Sequence, residues 1–166
     1  EATPGRHTIG SQMYYELFQL WKKVTDLPEP GLIYMKRSKY VPDREKAEAA
    51  AACSKYMNVI NGSGACLYGA LMGTKDFPLF EWLNAATGWH ISPYDYLEIG
   101  THIQSVKQQF NIKQGLKPTD IRVTDRALGR PPLTSGANRG RSVPVEKMVQ
   151  DYWEVLGWDP ASGTPL

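Results

Sequence analysis

One cysteine stands at the end of a glycine-rich run, and this run has the clearest capacity for chemistry in the sequence. The run is Asn61-Gly62-Ser63-Gly64-Ala65-Cys66. Glycines let backbone N–H groups approach a bulky anionic group, and a cysteine thiolate can ligate iron. The pattern therefore indicates a ligand of a metal cluster. The alternative is a buried structural cysteine, since free cysteine is among the most buried residue types.

A second group of residues that could bind a ligand is a set of arginines placed among glycines and prolines. Residues 122–142 contain Arg126, Arg130, Arg139 and Arg141. Guanidinium groups on such a loop can hold phosphate or carboxylate groups by paired hydrogen bonds. An ordinary solvated basic loop is the simpler interpretation.

Length and charge exclude several classes of protein. The chain has 166 residues and a net charge of +2, with acidic and basic residues interspersed, which argues against a nucleic-acid partner. Two cysteines without regular spacing argue against a disulfide framework and favour a cytoplasmic location. No apolar run reaches the ~18 residues that a membrane helix requires. Residues 1–166 form one domain in this interpretation, and the opening at Glu1 predicts that it is a piece of a longer polypeptide.

The elements that must position Cys66 are helices. Helical spacing and end signals predict helices over residues 11–25, 44–60 and 65–72, from Asp76 to Gly88, from Ser92 to about Gly115, and from Val145 to Leu156. The expected N-caps are Asp43, Asp76 and Ser92, and Asp95 can complete a capping box with Ser92. No segment alternates with period two, so the predicted fold class is all-α, an irregular domain of about six helices. Residues 27–42, with three prolines and a glycine, are predicted to be a surface excursion.

The same patterns predict which side chains lie inside. Cys53, in the Ala-rich helix 44–60, is expected to be a small core residue, and helix 65–72 is expected to be buried. His102 is expected on the exposed side of its helix. The helix that begins at Ser92 is expected to turn five apolar side chains inward: Leu97, Ile99, Ile103, Val106 and Phe110.

Several of these segments together resemble the C-terminal portion of the tungsten- and molybdenum-containing aldehyde ferredoxin oxidoreductases. The likeness covers about residues 47 to 165. It is carried by Phe80-Glu81-Trp82-Leu83-Asn84-Ala85-Ala86-Thr87-Gly88-Trp89, by Phe110-Asn111-Ile112-Lys113-Gln114-Gly115, and by the ending Gly157-Trp158-Asp159 with Gly163-Thr164-Pro165. By this resemblance the chain is the last helical domain of a longer catalytic subunit.

The resemblance implies a role for the glycine run. In that family a [4Fe–4S] cluster takes three cysteines from an upstream domain and a fourth from a turn that Cys66 matches. The preceding residues, Asn61, Gly62, Ser63, Gly64 and Ala65, would contact the pterin of a tungsten or molybdenum bis-pterin centre. Asn61 stands where the family usually has aspartate, so an ionic contact there is not expected.

The resemblance also implies a role for His7. The opening Ala2-Thr3-Pro4-Gly5-Arg6-His7 resembles a segment that brings a histidine toward the metal, where an imidazole could transfer a proton or orient the substrate. The interval from His7 to Cys66 is longer than usual in the family, and residues 27–42 are the expected insertion. The alternative is a capping or surface histidine.

The activity implied for the complete polypeptide is oxidation of an aldehyde to a carboxylate, with electrons passed through the cluster to ferredoxin. The isolated chain is expected to be inactive, because one cysteine cannot hold the cluster. Two other hypotheses stay open. One is a helical interaction module without catalysis, and the other is a family relative that acts on another carbonyl, carboxyl or aromatic substrate.

Overall fold

The chain is helical across the residues that the computed structural model describes, which are 2–3, 6, 9–10, 13–30, 40–72 and 77–166. These residues form eight α-helices, one 3-10 helix and a single isolated bridge between Trp158 and Pro165, with no strand among them. The all-α prediction is confirmed. The α-helices are α1 (Met13–Leu17), α2 (Leu20–Lys23), α3 (Arg44–Gly62), α4 (Leu67–Met72), α5 (Leu79–Thr87), α6 (Pro93–Lys113), α7 (Asp125–Leu128) and α8 (Val145–Val155).

Helix α3 is the central element, and it packs against α6 and α8. Asp43 caps it as predicted, because the Asp43 carboxylate accepts a hydrogen bond from the N–H of Lys46 at 2.8 Å. The Ala-rich sequence allows close packing, and Cys53, Tyr56 and Ile60 of this helix are fully buried. The helix continues to Gly62, two residues beyond the predicted end, so its last turn enters the glycine run.

Helix α6 begins where the sequence predicts. The side chain of Ser92 accepts a hydrogen bond from the N–H of Asp95 at 3.2 Å, and the Asp95 carboxylate accepts one from the N–H of Ser92 at 2.8 Å. This reciprocal capping box lowers the pKa of Asp95 through its hydrogen bonds to Ser92.

The prediction of which α6 residues point inward is largely wrong. Leu97 is buried, but Ile99, Val106 and Phe110 are 37%, 51% and 62% exposed, and Ile103 is half-buried. The inner face consists of Tyr96, Leu97, Gly100, Gln104 and Gln108. Gly100 decides this orientation, because a Cβ there would lie 2.3 Å from the backbone oxygen of Lys55 in α3. We call Ile99, Ile103, Val106 and Phe110 the outer stripe of α6.

The helix predicted over residues 11–25 is interrupted. It forms α1 and α2, with Gln19 between them in the left-handed region at φ 49°. The break allows Phe18 and Leu20 to be buried together, whereas Leu17, expected inside a continuous helix, is 51% exposed. Residues 11 and 12 lie outside the described part of the chain.

Two further helices differ from prediction at their starts. The helix expected over residues 65–72 starts at Leu67, and it is only partly buried, because Ala70 is 4% exposed but Tyr68 is 68% exposed. Helix α5 starts at Leu79 and ends at Gly88, a left-handed residue at φ 74°, as predicted. Asp76, the expected cap, lies outside the described residues, as do residues 31–39 of the predicted excursion over 27–42.

The C-terminal tail closes a second core on the other side of α3. Trp153, Leu156 and Trp158 pack with Ala2 and Ala51. The closing Gly163 is required here, because it has a φ of +70° and a Cβ would lie 2.6 Å from the Trp153 ring. The 3-10 helix Pro118–Asp120 and α7 were not predicted. No helix in the described ranges has the length and apolar character needed to cross a bilayer.

Candidate functional site

The glycine run forms an exposed turn between α3 and α4. The N–H groups of Ser63, Gly64 and Ala65 donate to the backbone oxygens of Val59, Asn61 and Ile60 at 2.9, 3.3 and 3.1 Å, which closes the end of α3. Gly64 has a φ of +76°, a conformation that glycine adopts without strain. Residues 61–64 are exposed and Ala65 is half-buried, so the turn presents its backbone on the surface of this chain.

The two cysteines have opposite environments. Cys53, in the middle of α3, is fully buried, and burial raises the pKa of its thiol to about 12. The prediction of a core cysteine at this position is confirmed. Cys66, directly before α4, is exposed. A structural role in the core therefore does not apply to Cys66, and its thiol is available to a ligand or partner outside this chain.

Two glycines near Cys66, one on the turn and one in α4, add no side chains to the space around it. Among the described residues, a Cβ on Gly64 would meet no atom within 4 Å, and a Cβ on Gly69 would meet only the Cβ of Cys66, at 3.7 Å. An exposed thiol beside such a gap suits a bulky group such as an iron–sulfur cluster. Gly69 was not identified as a site residue from sequence, although its spacing of three from Cys66 at the start of a helix places the two on one side.

The turn also adjoins the outer stripe of α6. A Cβ on Gly62 would lie 3.4 Å from Cδ1 of Ile103, so the last turn of α3 rests against the middle of the stripe. This contact was not predicted, because Ile103 was expected to point into the core. The exposed turn and the exposed apolar stripe therefore form one continuous surface.

His7 lies outside the described residues, but part of the segment around it is fixed. The side-chain amide of Asn111 in α6 donates to the backbone oxygen of Ala2 at 2.6 Å, and Ala2 is buried. The N–H of Arg6 donates to Thr3 oxygen at 3.2 Å, and the N–H of Ile9 donates to Arg6 oxygen at 3.1 Å. Asn111 belongs to one of the segments that carry the family resemblance.

The arginine-rich loop is partly held by contacts within the chain. Arg130 makes a two-bonded ion pair with Glu146, at 2.6 and 2.7 Å, and these hydrogen bonds lower the pKa of Glu146 to about 2. The Arg141 guanidinium lies 5.4 Å from the centre of the Tyr40 ring. Arg130 and Glu146 also line an open groove of about 690 Å³, and no residue of the 61–66 turn lines it.

Within the described part of the chain, no three His, Cys, Asp or Glu side chains come together as a site for a metal ion. His90 and His102 are both exposed, as expected for His102. Cys66 is therefore not part of a metal site of three or more such side chains formed by the described residues.

The comparisons with known proteins all identify the same family. Residues 3–166 match the family model described as aldehyde ferredoxin oxidoreductase, domains 2 and 3. A tungsten-containing aldehyde ferredoxin oxidoreductase of Pyrococcus abyssi is 32% identical over 115 residues, which are 69% of this chain and 19% of the relative. Proteins of the same description from Thermococcus kodakarensis and Pyrococcus furiosus are 34% and 33% identical over 101 residues, which are 60% of this chain and 16% of each relative. The chain thus spans less than a fifth of the length of the curated relatives that it matches.

Proposed function

The chain belongs to the aldehyde ferredoxin oxidoreductase family, and from that premise we propose that it is the C-terminal helical domain of an enzyme that oxidises aldehydes to carboxylates. In this proposal Cys66 supplies one thiolate ligand of a [4Fe–4S] cluster, and three further cysteines come from the preceding part of the same polypeptide. The observation that carries the proposal is the exposed Cys66 thiol on a glycine turn with open space beside it.

The cofactors supply the redox chemistry, and this domain supplies contacts. When bound, the tungsten or molybdenum pterin centre would take two electrons from the aldehyde, and the cluster would pass them singly to ferredoxin. Cys66 would hold the cluster from the side of this domain. Gly69 would leave room for it, because a side chain there would extend into the space beside Cys66, and Gly64 would add no side chain to the turn.

The turn residues Asn61, Gly62, Ser63, Gly64 and Ala65 would contact the pterin. The N–H groups of Ser63, Gly64 and Ala65 already donate within the end of α3, which limits how many backbone donors they can offer. The carboxamide of Asn61, which can both donate and accept, is the side chain on this turn best suited to a polar pterin edge. Close approach would then depend on the bare backbone of the two glycines.

His7 would act near the substrate. A histidine side chain can accept a proton released during aldehyde oxidation or orient the aldehyde by a hydrogen bond. The bond from Asn111 to Ala2 anchors the chain five residues before His7 to α6. Other carbonyl, carboxyl or aromatic substrates are compatible with the same arrangement.

The proposal is tested by metal analysis of the complete polypeptide, expressed anaerobically from its full gene. We expect about four iron atoms and one tungsten or molybdenum per subunit, the content of one cluster and one pterin centre. The gene should also encode Cys-x-x-Cys-x-x-x-Cys upstream of this domain. Folded, metal-free protein would instead support a helical interaction module without catalysis.

Paired cysteine variants make the test specific to the ligand. Cys66→Ala in the complete polypeptide should lose most of the iron and the visible absorbance of the cluster, because one of four thiolates is removed. Cys53→Ala is the matched control and should keep both, since Cys53 is buried in α3. Unchanged iron in Cys66→Ala would refute the assignment. The 166-residue chain alone should be colourless and inactive.

A further inference from the structure

The outer stripe of α6 is an apolar surface that nothing in the described part of the chain covers fully. Ile99, Val106 and Phe110 are 37%, 51% and 62% exposed. With Ile103 they recur at intervals of three and four residues, so they form a narrow row about 16 Å long at 1.5 Å per residue. Residues 99–110 contain one residue among Asp, Glu, Lys and Arg, which is Lys107, and its side chain donates to the Asn58 oxygen of α3. Such a row is typical of the core of an interface, where charged residues are depleted.

The position of the row limits what can cover it. Its middle residue, Ile103, adjoins Gly62, and Gly62 belongs to the turn that ends at Cys66. Protein that reaches the Cys66 thiol to complete a four-cysteine cluster therefore approaches the same turn that contacts the row through Gly62. At the other end, Asn111 is adjacent to Phe110 in sequence and holds Ala2, so the chain enters the domain at that end of α6.

We propose that the outer stripe of α6 is the surface on which the preceding part of the same polypeptide packs. This inference depends on the proposed function, because it takes the chain to be the last domain of a longer subunit. The relatives are more than five times as long as their matched region, which provides ample chain to cover the row. The row itself is apolar, and Lys107 beside it is held by the Asn58 oxygen, which favours an apolar face of the enzyme over a strongly charged partner.

Hydroxyl-radical footprinting of the complete, unmodified polypeptide tests this without a mutation. Radicals oxidise phenylalanine rings that water can reach, and mass spectrometry measures the rate at each position. Phe80 is the matched internal control, since it has the same side chain and is 3% exposed in this domain. Rates are normalised to those of the unfolded protein. We expect Phe110 to be oxidised within about twofold of the Phe80 rate, as expected for the water-excluding core of an interface.

Phe110 oxidised about fivefold faster than Phe80, as for a ring in contact with water, would overturn the proposal. Protection that disappears when the protein is diluted to a monomer would also overturn it, because the row would then be covered by a second copy. Iron content measured on the same sample separates the two proposals. If Phe110 is protected and the sample contains no iron, the packing proposal stands and the cluster proposal is refuted. If Phe110 is exposed and the sample contains about four irons, the cluster proposal stands and the packing proposal is refuted.

Discussion

Beyond Tyr96 and Leu97, the inner face of α6 is small and polar, whereas the outer stripe of the same helix is apolar and largely exposed. Gly100, Gln104 and Gln108 are buried on the inner face. Val106 and Phe110, about 120° round the helix, are more than half exposed. In this part of α6 the contact inside the domain is thus made by close backbone approach and hydrogen bonds, while Val106 and Phe110 stay exposed.

A buried polar network explains how the inner face holds together. The side-chain amide of Asn58 in α3 donates to Gln104 at 2.7 Å, and Gln104 donates to the Tyr152 hydroxyl of α8 at 3.3 Å. Tyr152 in turn donates to the hydroxyl of Ser54 at 2.9 Å, and Lys107 donates to the Asn58 oxygen at 2.5 Å. These bonds join three helices and give the packing a specific register. Hydrophobicity alone therefore does not identify the face that a helix buries in its own domain.

Among the changes considered, Gly100→Ala on the inner face of α6 should alter stability most. A Gly→Ala change at a free helical position raises stability by up to about 1 kcal/mol. At Gly100 we expect the opposite, a loss of about 2 kcal/mol or more, because the new Cβ would clash with the Lys55 backbone. The free energy of unfolding of the 166-residue chain in urea measures this. Gly69→Ala is the control and should be neutral or stabilising, and equal effects at the two sites would contradict the close contact.

Gln104→Leu should have the next largest effect. It keeps a side chain of similar size but removes the partner of Asn58 and a donor to Tyr152, which should cost about 1–3 kcal/mol for buried polar groups left unsatisfied. Urea unfolding measures the loss. The same change at the exposed Gln109 should alter stability by no more than about 0.5 kcal/mol.

A double-mutant cycle measures the coupling free energy between Asn58 and Gln104. We expect Asn58→Leu combined with Gln104→Leu to cost less than the sum of the single changes, with a coupling of about 0.5–3 kcal/mol for residues in direct contact. Strict additivity would show that the bond between Asn58 and Gln104 does not stabilise the packing of α3 on α6.

Much of the fold could be predicted from sequence because its signals are local. The cap at Asp43, the capping box at Ser92 and the glycine end at Gly88 depend on a few adjacent residues, and all three are confirmed. The break at Gln19 could not be predicted, since helical spacing continues through it. It is stabilised by the tertiary burial of Phe18 and Leu20 on either side.

The candidate site was predictable in part for the same reason. The glycines before Cys66 indicated an exposed turn, and the Ala-rich run around Cys53 indicated a core position. The contribution of Gly69 and the contact of Gly62 with Ile103 depend on three-dimensional packing between α3, α4 and α6. The orientation of α6 was mispredicted because the apolar period of a helix is the same whether it faces its own core or another domain.

The smallest expected change in stability is at Val106 in the outer stripe. Val106→Ala removes two methyl groups from a half-exposed position and replaces a β-branched residue by the best helix former, so the stability of the 166-residue chain should change by no more than about 0.5 kcal/mol. Urea unfolding is again the measurement. A loss above about 1 kcal/mol would mean that Val106 is already packed within this chain. A small change here beside a large loss in Gly100→Ala would establish that α6 is held in its own domain by close packing at Gly100 and not by the outer stripe.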